Sequence, residues 1–454
     1  MGAAGATLVL AVGLMAGAHA GVARAAGPVT TQWLGYHGGG SGHGVAVGIA
    51  KVDTSRPEWT SPHLDGQVYG EPLVWDSEVI VATENDSVYA LSPSNGTVIW
   101  RHHLATPVPA ASLPCGNITP SVGITGTPVV DAGRHEVFAM AFEMSHGTPL
   151  HYLYGLDALT GATQMSVAVP TPTPDQRVYL NRSALALDQG RVVYTFGGNS
   201  GDCGDYHGVV GSVSETGRGL AQYVVDAAAG NREGAVWMGG GAPAIDSAGH
   251  VYVESGNGSV TTPGQPYDGS DGVVELSASM RVLSSFAPAS WAQDNANDAD
   301  LSTEPALLDN GLVVAAGKSG MSYLLRAGQL GGVGGQIAAV PSGCGDVIDG
   351  GVVVHGNIVY LPCRNGTVAM KVTPSPAGMR PIWRAHEGVG PPIMAAQLVW
   401  SIGNGVLYAL APDTGRVLRR VTLGTVVNHF ATPSVGAGLL LAPLSDQVVA
   451  FSAR

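Results

Sequence analysis

Residues 88–100, which read VYALSPSNGTVIW, contain the pattern that decides the fold. A strand rich in β-branched and aromatic residues ends at residue 91, a turn places Gly96 five residues later, and a second strand ends on Trp100. The same pattern returns in residues 153–156 (LYGL) with a glycine at the same offset, and again in residues 407–410 (LYAL). A strand–turn–strand unit is therefore repeated along the chain.

Five weaker copies of the first strand extend the repeat over most of the sequence. They are residues 210–213 (VGSV), 273–276 (VVEL), 322–325 (SYLL), 367–370 (TVAM) and 448–451 (VVAF). The eight copies recur about every 51 residues, and each follows a β-rich run such as residues 78–82. Each copy predicts a four-stranded antiparallel sheet, and a single sheet of this kind cannot bury its own faces.

A closed ring of eight such sheets solves this problem, so the sequence predicts an all-β, eight-bladed β-propeller over residues 27–454. The last copy ends three residues before Arg454, which leaves no room for a fourth strand. Residues 45–59 carry a strand pattern without a partner, and we expect this N-terminal strand to complete the last blade. Two separate β domains are the alternative.

The composition agrees with a turn-rich β protein. Gly (66) and Pro (29) are abundant and charged residues make up 12% of the chain, which disfavours helical bundles and disordered chains. The net charge is −13 and no basic run occurs, so we expect neither a nucleic-acid partner nor an anionic membrane surface.

The beginning of the chain resembles an export signal. Residues 7–15 are apolar and small-x-small cleavage candidates follow, so we predict a signal peptide over residues 1–26 and a secreted, monomeric protein without a membrane span. The first cysteine is Cys115, which leaves no cysteine near the cleavage site for a lipid anchor.

The four cysteines are Cys115, Cys203, Cys344 and Cys363, and they allow three pairings. Cys344 and Cys363 are close in sequence and flank a predicted strand, which favours Cys344–Cys363 with Cys115–Cys203. The spacings fit no zinc site, and no C-x-x-C-H stretch is present for a covalent haem.

The Tyr-Ala-Leu-x₄-Gly repeat with its trailing Trp resembles the PQQ-type propeller repeat of the quinoprotein alcohol dehydrogenases. This resemblance implies pyrroloquinoline quinone and Ca²⁺ on the propeller axis, although the superfamily also includes a non-catalytic outer-membrane assembly scaffold. It implies that Trp237 lies under the quinone, with Lys318 close to a quinone oxygen. Asp300 or Asp298 corresponds to the catalytic base.

The same resemblance implies that Asp205, Asn257 and Asp300 are the calcium ligands, with Asp205 in place of the family's Glu. The chain differs from the dehydrogenases at Cys115, which stands alone where they have a vicinal cysteine pair. Each candidate also has a structural interpretation: Asn257 as a turn residue, Trp237 as inter-blade packing, and the aspartates as Asx turns.

The predicted topology places the candidate residues in hairpin turns and blade links that share one face, around the central channel. We therefore expect a small molecule, a glycan or a protein to bind at this loop face. Three functions remain open: a dehydrogenase of alcohols, polyols or sugars, a non-catalytic scaffold that binds protein or cell-envelope glycan, and a glycan-cleaving enzyme that uses a carboxylate pair.

Overall fold

The computed structural model describes residues 1, 2, 31–40, 42–344, 348–426 and 429–454, which form eight antiparallel sheets of mostly four strands. We number these sheets as blades 1 to 8 along the chain. All eight predicted repeat copies are third strands of their blades, so the repeat and the eight-bladed propeller are confirmed. Most of the predicted signal peptide lies outside the described residues.

The strands of blades 1 to 4 follow the chain. Blade 1 contains Leu73–Trp75, Glu78–Thr83, Ser87–Leu91 and Val98–His103, and blade 2 contains Val129–Asp131, Glu136–Ser145, Thr148–Asp157 and Thr163–Val169. Blade 3 contains Tyr179–Leu180, Ala186–Asp188, Arg191–Gly198, Val209–Ser214 and Ala221–Val224. Blade 4 contains Ala244–Ile245, Val251–Ser255, Gly272–Leu276 and Val282–Ala287, and Gly332–Val333 adds a parallel edge strand.

Blades 5 to 8 have the same order. Blade 5 contains Ala306–Leu307, Leu312–Ala316, Met321–Arg326 and Ala338–Pro341, and blade 6 contains Val353–His355, Ile358–Cys363, Gly366–Pro374 and Ala377–Ala385. Blade 7 contains Ile393–Ala395, Leu398–Gly403, Val406–Leu410 and Val417–Thr422, and blade 8 contains Ser434–Gly436, Leu439–Pro443, Val448–Ala453, Val52–Asp53 and Trp59–Thr60.

The remaining elements lie in the loops. They are a two-stranded ribbon (Val108–Pro109 with Ser121–Val122), the α-helix Trp291–Ala296, and the 3-10 helices Tyr36–Gly38, Ala110–Ser112, Gln176–Val178 and Met238–Gly240. No helix in the described part of the chain is long and apolar enough to cross a membrane.

The ring closes through the N-terminal segment, as predicted. Val52 pairs with Ala453 and Trp59 pairs with Ala450, so the last blade takes its outer strands from the beginning of the chain. The predicted strand over residues 45–59 is broken, however, because Val45 pairs with Met394 of blade 7 instead. Closure removes the two free edges that an open ring would leave.

Neighbouring blades are joined by tryptophans that stack on the glycines of the repeat. Trp100 of blade 1 donates its Nε1 proton to the carbonyl of Ala158 in blade 2, at 3.0 Å. A Cβ atom on Gly161 would lie 2.5 Å from the Trp100 ring, and the φ of this glycine is +71°. Only glycine suits such a close approach with positive φ. The pairs Trp59–Gly96 and Trp383–Gly415 repeat the contact.

Residues 31–40 and 42–46, which we call the axial segment, cross one end of the central channel. The carbonyls of this segment accept hydrogen bonds from six blades, from residues in the first strand or directly after it. The donors are the backbone N–H groups of Val74, Val130, Ile245, Val354, Met394 and Ala437. Tyr36 and His37 are buried at this crossing. The free edges of these innermost strands thereby gain hydrogen-bond partners.

His151, in blade 2, makes the stability of the folded protein depend on pH. Its ring stacks on Phe142 with the centroids 4.1 Å apart, its Nδ1 lies 2.9 Å from the side-chain oxygen of Gln176, and burial lowers its pKa to about 4. In the unfolded chain this histidine takes up a proton near pH 6.5, whereas in the folded protein it stays neutral down to about pH 4. The contribution of His151 to the free energy of unfolding is therefore fully present above pH 6.5 and is lost as the pH falls towards 4. We expect His151 to account for about 2.5 kcal/mol of lost stability between pH 7 and pH 4.5.

Urea unfolding of the wild type and of His151→Gln at both pH values measures this term. The variant should lose about 2 kcal/mol less on acidification than the wild type does. His355→Gln, at an exposed position, is the matched control and should lose as much stability on acidification as the wild type does. Equal acid sensitivity of all three proteins would show that His151 is not responsible.

Candidate functional site

An axial cavity of about 360 Å³ lies on the loop face, lined by turns and links from most of the blades. The blade links reach the cavity because they lead into the innermost strands. The hairpin turns between the second and third strands also lie on the loop face and reach the cavity from there. The lining residues that bear on its chemistry are Tyr69, Arg182, Asp202, Trp237, Asp298, Lys318, Asp349, Arg364, His429 and Phe430.

Lys318 connects three of the sequence-predicted residues in this cavity. Its Nζ lies 2.6 Å from a carboxylate oxygen of Asp298 and 2.6 Å from one of Asp300, and it lies 4.9 Å from the centroid of the Trp237 ring. Burial lowers the pKa of Lys318, but the charges of Asp300 and Asp298 and their hydrogen bonds outweigh burial, and the net pKa is raised. Lys318 is therefore a fixed cation on the wall of the cavity.

The turn that carries Lys318 is held against the link that carries Asp300. The backbone N–H of Lys318 donates to the Asp300 carbonyl at 2.8 Å, and Gly317 pairs with Leu301. A side chain on Gly317 would collide with the Asp300 carbonyl. The glycine therefore allows the two loops to approach closely enough for the ion pair to form.

Asp300 is fully buried beneath Lys318. One oxygen accepts a hydrogen bond from the backbone N–H of Asn257 at 2.8 Å. Burial raises the pKa of Asp300 to about 6, although the charge of Lys318 acts in the opposite direction. The site thus holds a carboxyl group that changes protonation just below neutral pH.

The three predicted calcium ligands are not equivalently placed. The side-chain oxygen of Asn257 is buried without a hydrogen-bond partner among the described residues, which suits a ligand atom. Asp300 is already paired with Lys318, and Asp205 is exposed and does not line the cavity. Within the described ranges, no three His, Cys, Asp or Glu side chains converge as a metal site. These residues do not fit a bound calcium ion as they stand.

Asp202, three residues before Asp205, is the aspartate of this hairpin that reaches the cavity. It accepts a hydrogen bond from the Tyr206 hydroxyl at 2.6 Å. Burial raises the pKa of Asp202 above its ordinary value. A motif alignment cannot choose between two aspartates of one turn, because the choice depends on how the turn folds.

Both predicted disulfides are present, and both flank cavity-lining turns. Cys115–Cys203 joins the link after blade 1 to the hairpin of blade 3, with Cα atoms 6.0 Å apart. Cys344–Cys363 joins the link after blade 5 to the hairpin of blade 6, next to Arg364, with Cα atoms 5.8 Å apart. The preferred pairing is confirmed.

Sequence reasoning missed several cations and acids of the cavity, in particular Arg182, Arg364 and Asp349. His429 lies 3.7 Å from a carboxylate oxygen of Asp349. None of these residues belongs to a recognisable motif. Arg182 and Asp349 lie in blade links and Arg364 lies in a hairpin turn, and these positions were the one signal that pointed to the axis.

Comparison with known proteins supports the fold. The PQQ_2 family model, described as outer membrane protein assembly factor BamB, matches residues 40–200. No curated protein matches the chain in sequence. Quinohemoprotein alcohol dehydrogenase ADHIIG from Pseudomonas putida HK5 is similar in structure, with 15% identity, a TM-score of 0.68, and coverage of 93% of this chain and 80% of that one.

Two further solved structures place the same fold in different functional settings. A europium-containing methanol dehydrogenase has 16% identity and a TM-score of 0.67, covering 91% of this chain and 89% of that one. BamB from Moraxella catarrhalis has 14% identity and a TM-score of 0.56, covering 86% of this chain and 98% of that one. The chain thus has the same propeller fold as these proteins, and identities at this level show the fold alone.

Proposed function

We propose that the axial cavity binds pyrroloquinoline quinone and that the protein is a secreted dehydrogenase of alcohols, polyols or sugars. The observation that carries the proposal is the contact of Lys318 with both Asp300 and the Trp237 ring at the wall of the cavity. These are the residues to which the sequence resemblance assigns the base, the cation and the ring under the quinone.

The cavity suits a planar, multiply negative ligand. Its volume of about 360 Å³ is in the range of small-molecule sites. Trp237 and Phe430 supply aromatic surfaces, while Arg182 and Arg364 supply positive charge for carboxylates. Pyrroloquinoline quinone is a planar tricarboxylate, and when bound it supplies the oxidant that accepts two electrons from the substrate.

The residues of this chain would then accept the proton that leaves the substrate. Asp300 would accept the hydroxyl proton of the substrate, and its pKa of about 6 suits a general base at neutral pH. Lys318 keeps Asp300 ionised and fixed in orientation, and the more exposed Asp298 holds Lys318 from the side of the opening. Since the calcium ligands do not fit as placed, we assign no step to a metal.

The test adds the quinone, with and without Ca²⁺, to the purified protein and follows its melting temperature and dye-linked oxidation of an alcohol, polyol and sugar panel. We expect a thermal shift with the quinone and dye reduction with at least one substrate. Asp300→Asn should bind the quinone but lose oxidation about 100-fold or more, as expected for removal of a general base. No shift and no dye reduction would reject the proposal.

The other two functions predict different outcomes. A scaffold that binds protein or cell-envelope glycan would show no quinone-dependent shift and would not need Asp300. Glycan cleavage by Asp298 and Asp300 requires one carboxyl group to be protonated, which the shared ammonium of Lys318 opposes. The arrangement therefore favours the dehydrogenase over glycan cleavage.

A further inference from the structure

The guanidinium of Arg182 is a cation of the axial cavity without an ion-pair or hydrogen-bond partner in the ranges that the structure describes. It lies 5.0 Å from the centroid of the Phe430 ring and 5.8 Å from that of Tyr69. A Cβ atom on Gly240 would lie 2.9 Å from its Nη1, so the backbone of Gly240 packs against the guanidinium. The group is held in place by rings and backbone rather than by acceptors.

The other cations of the cavity have different surroundings from Arg182. Lys318 is neutralised by two aspartates, and Arg364 is exposed. Arg182 remains partly exposed, and the cavity that it lines is where its free donors can meet a ligand. Burial lowers its pKa, while the charges of Glu84 and Asp349 act in the opposite direction without reaching ion-pair distance.

An ordered guanidinium without acceptors loses part of its hydration, and the contacts with the two rings offset only part of that cost. We infer that Arg182 anchors a carboxylate-binding subsite in the axial cavity, at the end next to the axial segment. The inference rests on the proposed role of this cavity in binding a small molecule. The planar fork of arginine matches the two oxygens of a carboxylate.

The surroundings favour a carboxylate over a dianionic phosphate. Asp349 lines the same cavity and Glu84 is buried nearby, so a second negative charge on the group that meets Arg182 would be repelled. One carboxylate balances one guanidinium. The carboxylate has two possible sources, the quinone cofactor itself or a substrate such as a sugar acid.

D-gluconate, with D-glucose as its uncharged counterpart, is the probe for this subsite. Isothermal titration should show that wild-type protein binds gluconate about tenfold more tightly than glucose, and that Arg182→Gln weakens gluconate binding about tenfold or more. Arg182→Lys should restore only part of the affinity, since lysine keeps the charge but lacks the fork. Arg326→Gln removes the same charge from an exposed position outside the cavity and should change the affinity less than about threefold.

Repeating the titration with quinone-loaded protein separates the two sources. If gluconate still binds, the carboxylate belongs to the substrate. If the quinone blocks gluconate and Arg182→Gln weakens quinone binding about tenfold, the carboxylate belongs to the cofactor. Either result supports the subsite.

The subsite and the proposed dehydrogenase can fail separately. Arg182-dependent gluconate binding without any quinone binding would reject the dehydrogenase and keep the subsite. Equal binding of gluconate and glucose, or equal losses in Arg182→Gln and Arg326→Gln, would overturn the subsite. Melting curves of each variant show whether a loss of binding comes from unfolding.

Discussion

Replacing Cys115 and Cys203 together by serine is expected to lower the free energy of unfolding by about 4 kcal/mol. The bond closes a loop of 88 residues, and the entropy that such a crosslink removes from the unfolded chain grows with loop length. Both cysteines are only partly buried, so the serine hydroxyls add little desolvation cost. The loss therefore reports mainly on the crosslink.

Denaturant unfolding of the double variant and of the wild type measures this effect. Reductant added to the wild type should move its unfolding midpoint towards that of the variant. Because the bond joins two walls of the axial cavity, the variant should also bind the quinone more weakly than the wild type. A loss below about 1 kcal/mol would contradict a crosslink of this length.

Lys318→Met is expected to destabilise the protein by about 3 kcal/mol at pH 8, because it leaves the carboxylate of Asp300 buried without its cation. The pKa of Asp300 is already raised to about 6, and losing Lys318 raises it further. A raised carboxyl pKa gives stability that is complete at low pH and lost as the pH rises. The variant should therefore be less impaired at pH 5 than at pH 8.

A double-variant cycle isolates the contact. Lys318→Met combined with Asp300→Asn removes both charges, and we expect it to recover about 2 kcal/mol relative to Lys318→Met alone. Lys51→Met breaks an exposed pair with Asp53 and should cost less than about 1 kcal/mol. Equal effects of the two lysine substitutions, or no pH dependence, would contradict a buried ion pair at Asp300.

Much of the fold was predictable because it depends on local rules repeated eight times. A period of about 51 residues and the Trp–Gly pairs report blade count and blade contacts without any long-range information. The axial segment, residues 31–40 and 42–46, was not predictable in the same way. Its hydrogen bonds to six different blades are all long-range, and no local period records such contacts.

The residues of the candidate site also fall into two groups, those that a local motif predicts and those whose role depends on long-range contacts. Trp237, Asp300 and Lys318 were found because they belong to motifs, and the structure brings them together. Asp205 and Arg182 show what sequence motifs could not predict. The orientation of Asp205 depends on how one hairpin folds, and the isolation of Arg182 depends on which acids fail to reach it, which only three-dimensional distances reveal.

The pairing of Val52 with Ala453 has a consequence for biosynthesis. The strand that is made early must wait for about 400 residues of later chain before its partner leaves the ribosome. Until then the nascent protein exposes unsatisfied sheet edges, which invite aggregation or mispairing with another copy. We therefore expect the meeting of the two ends of the molecule to be a slow and vulnerable step of its folding.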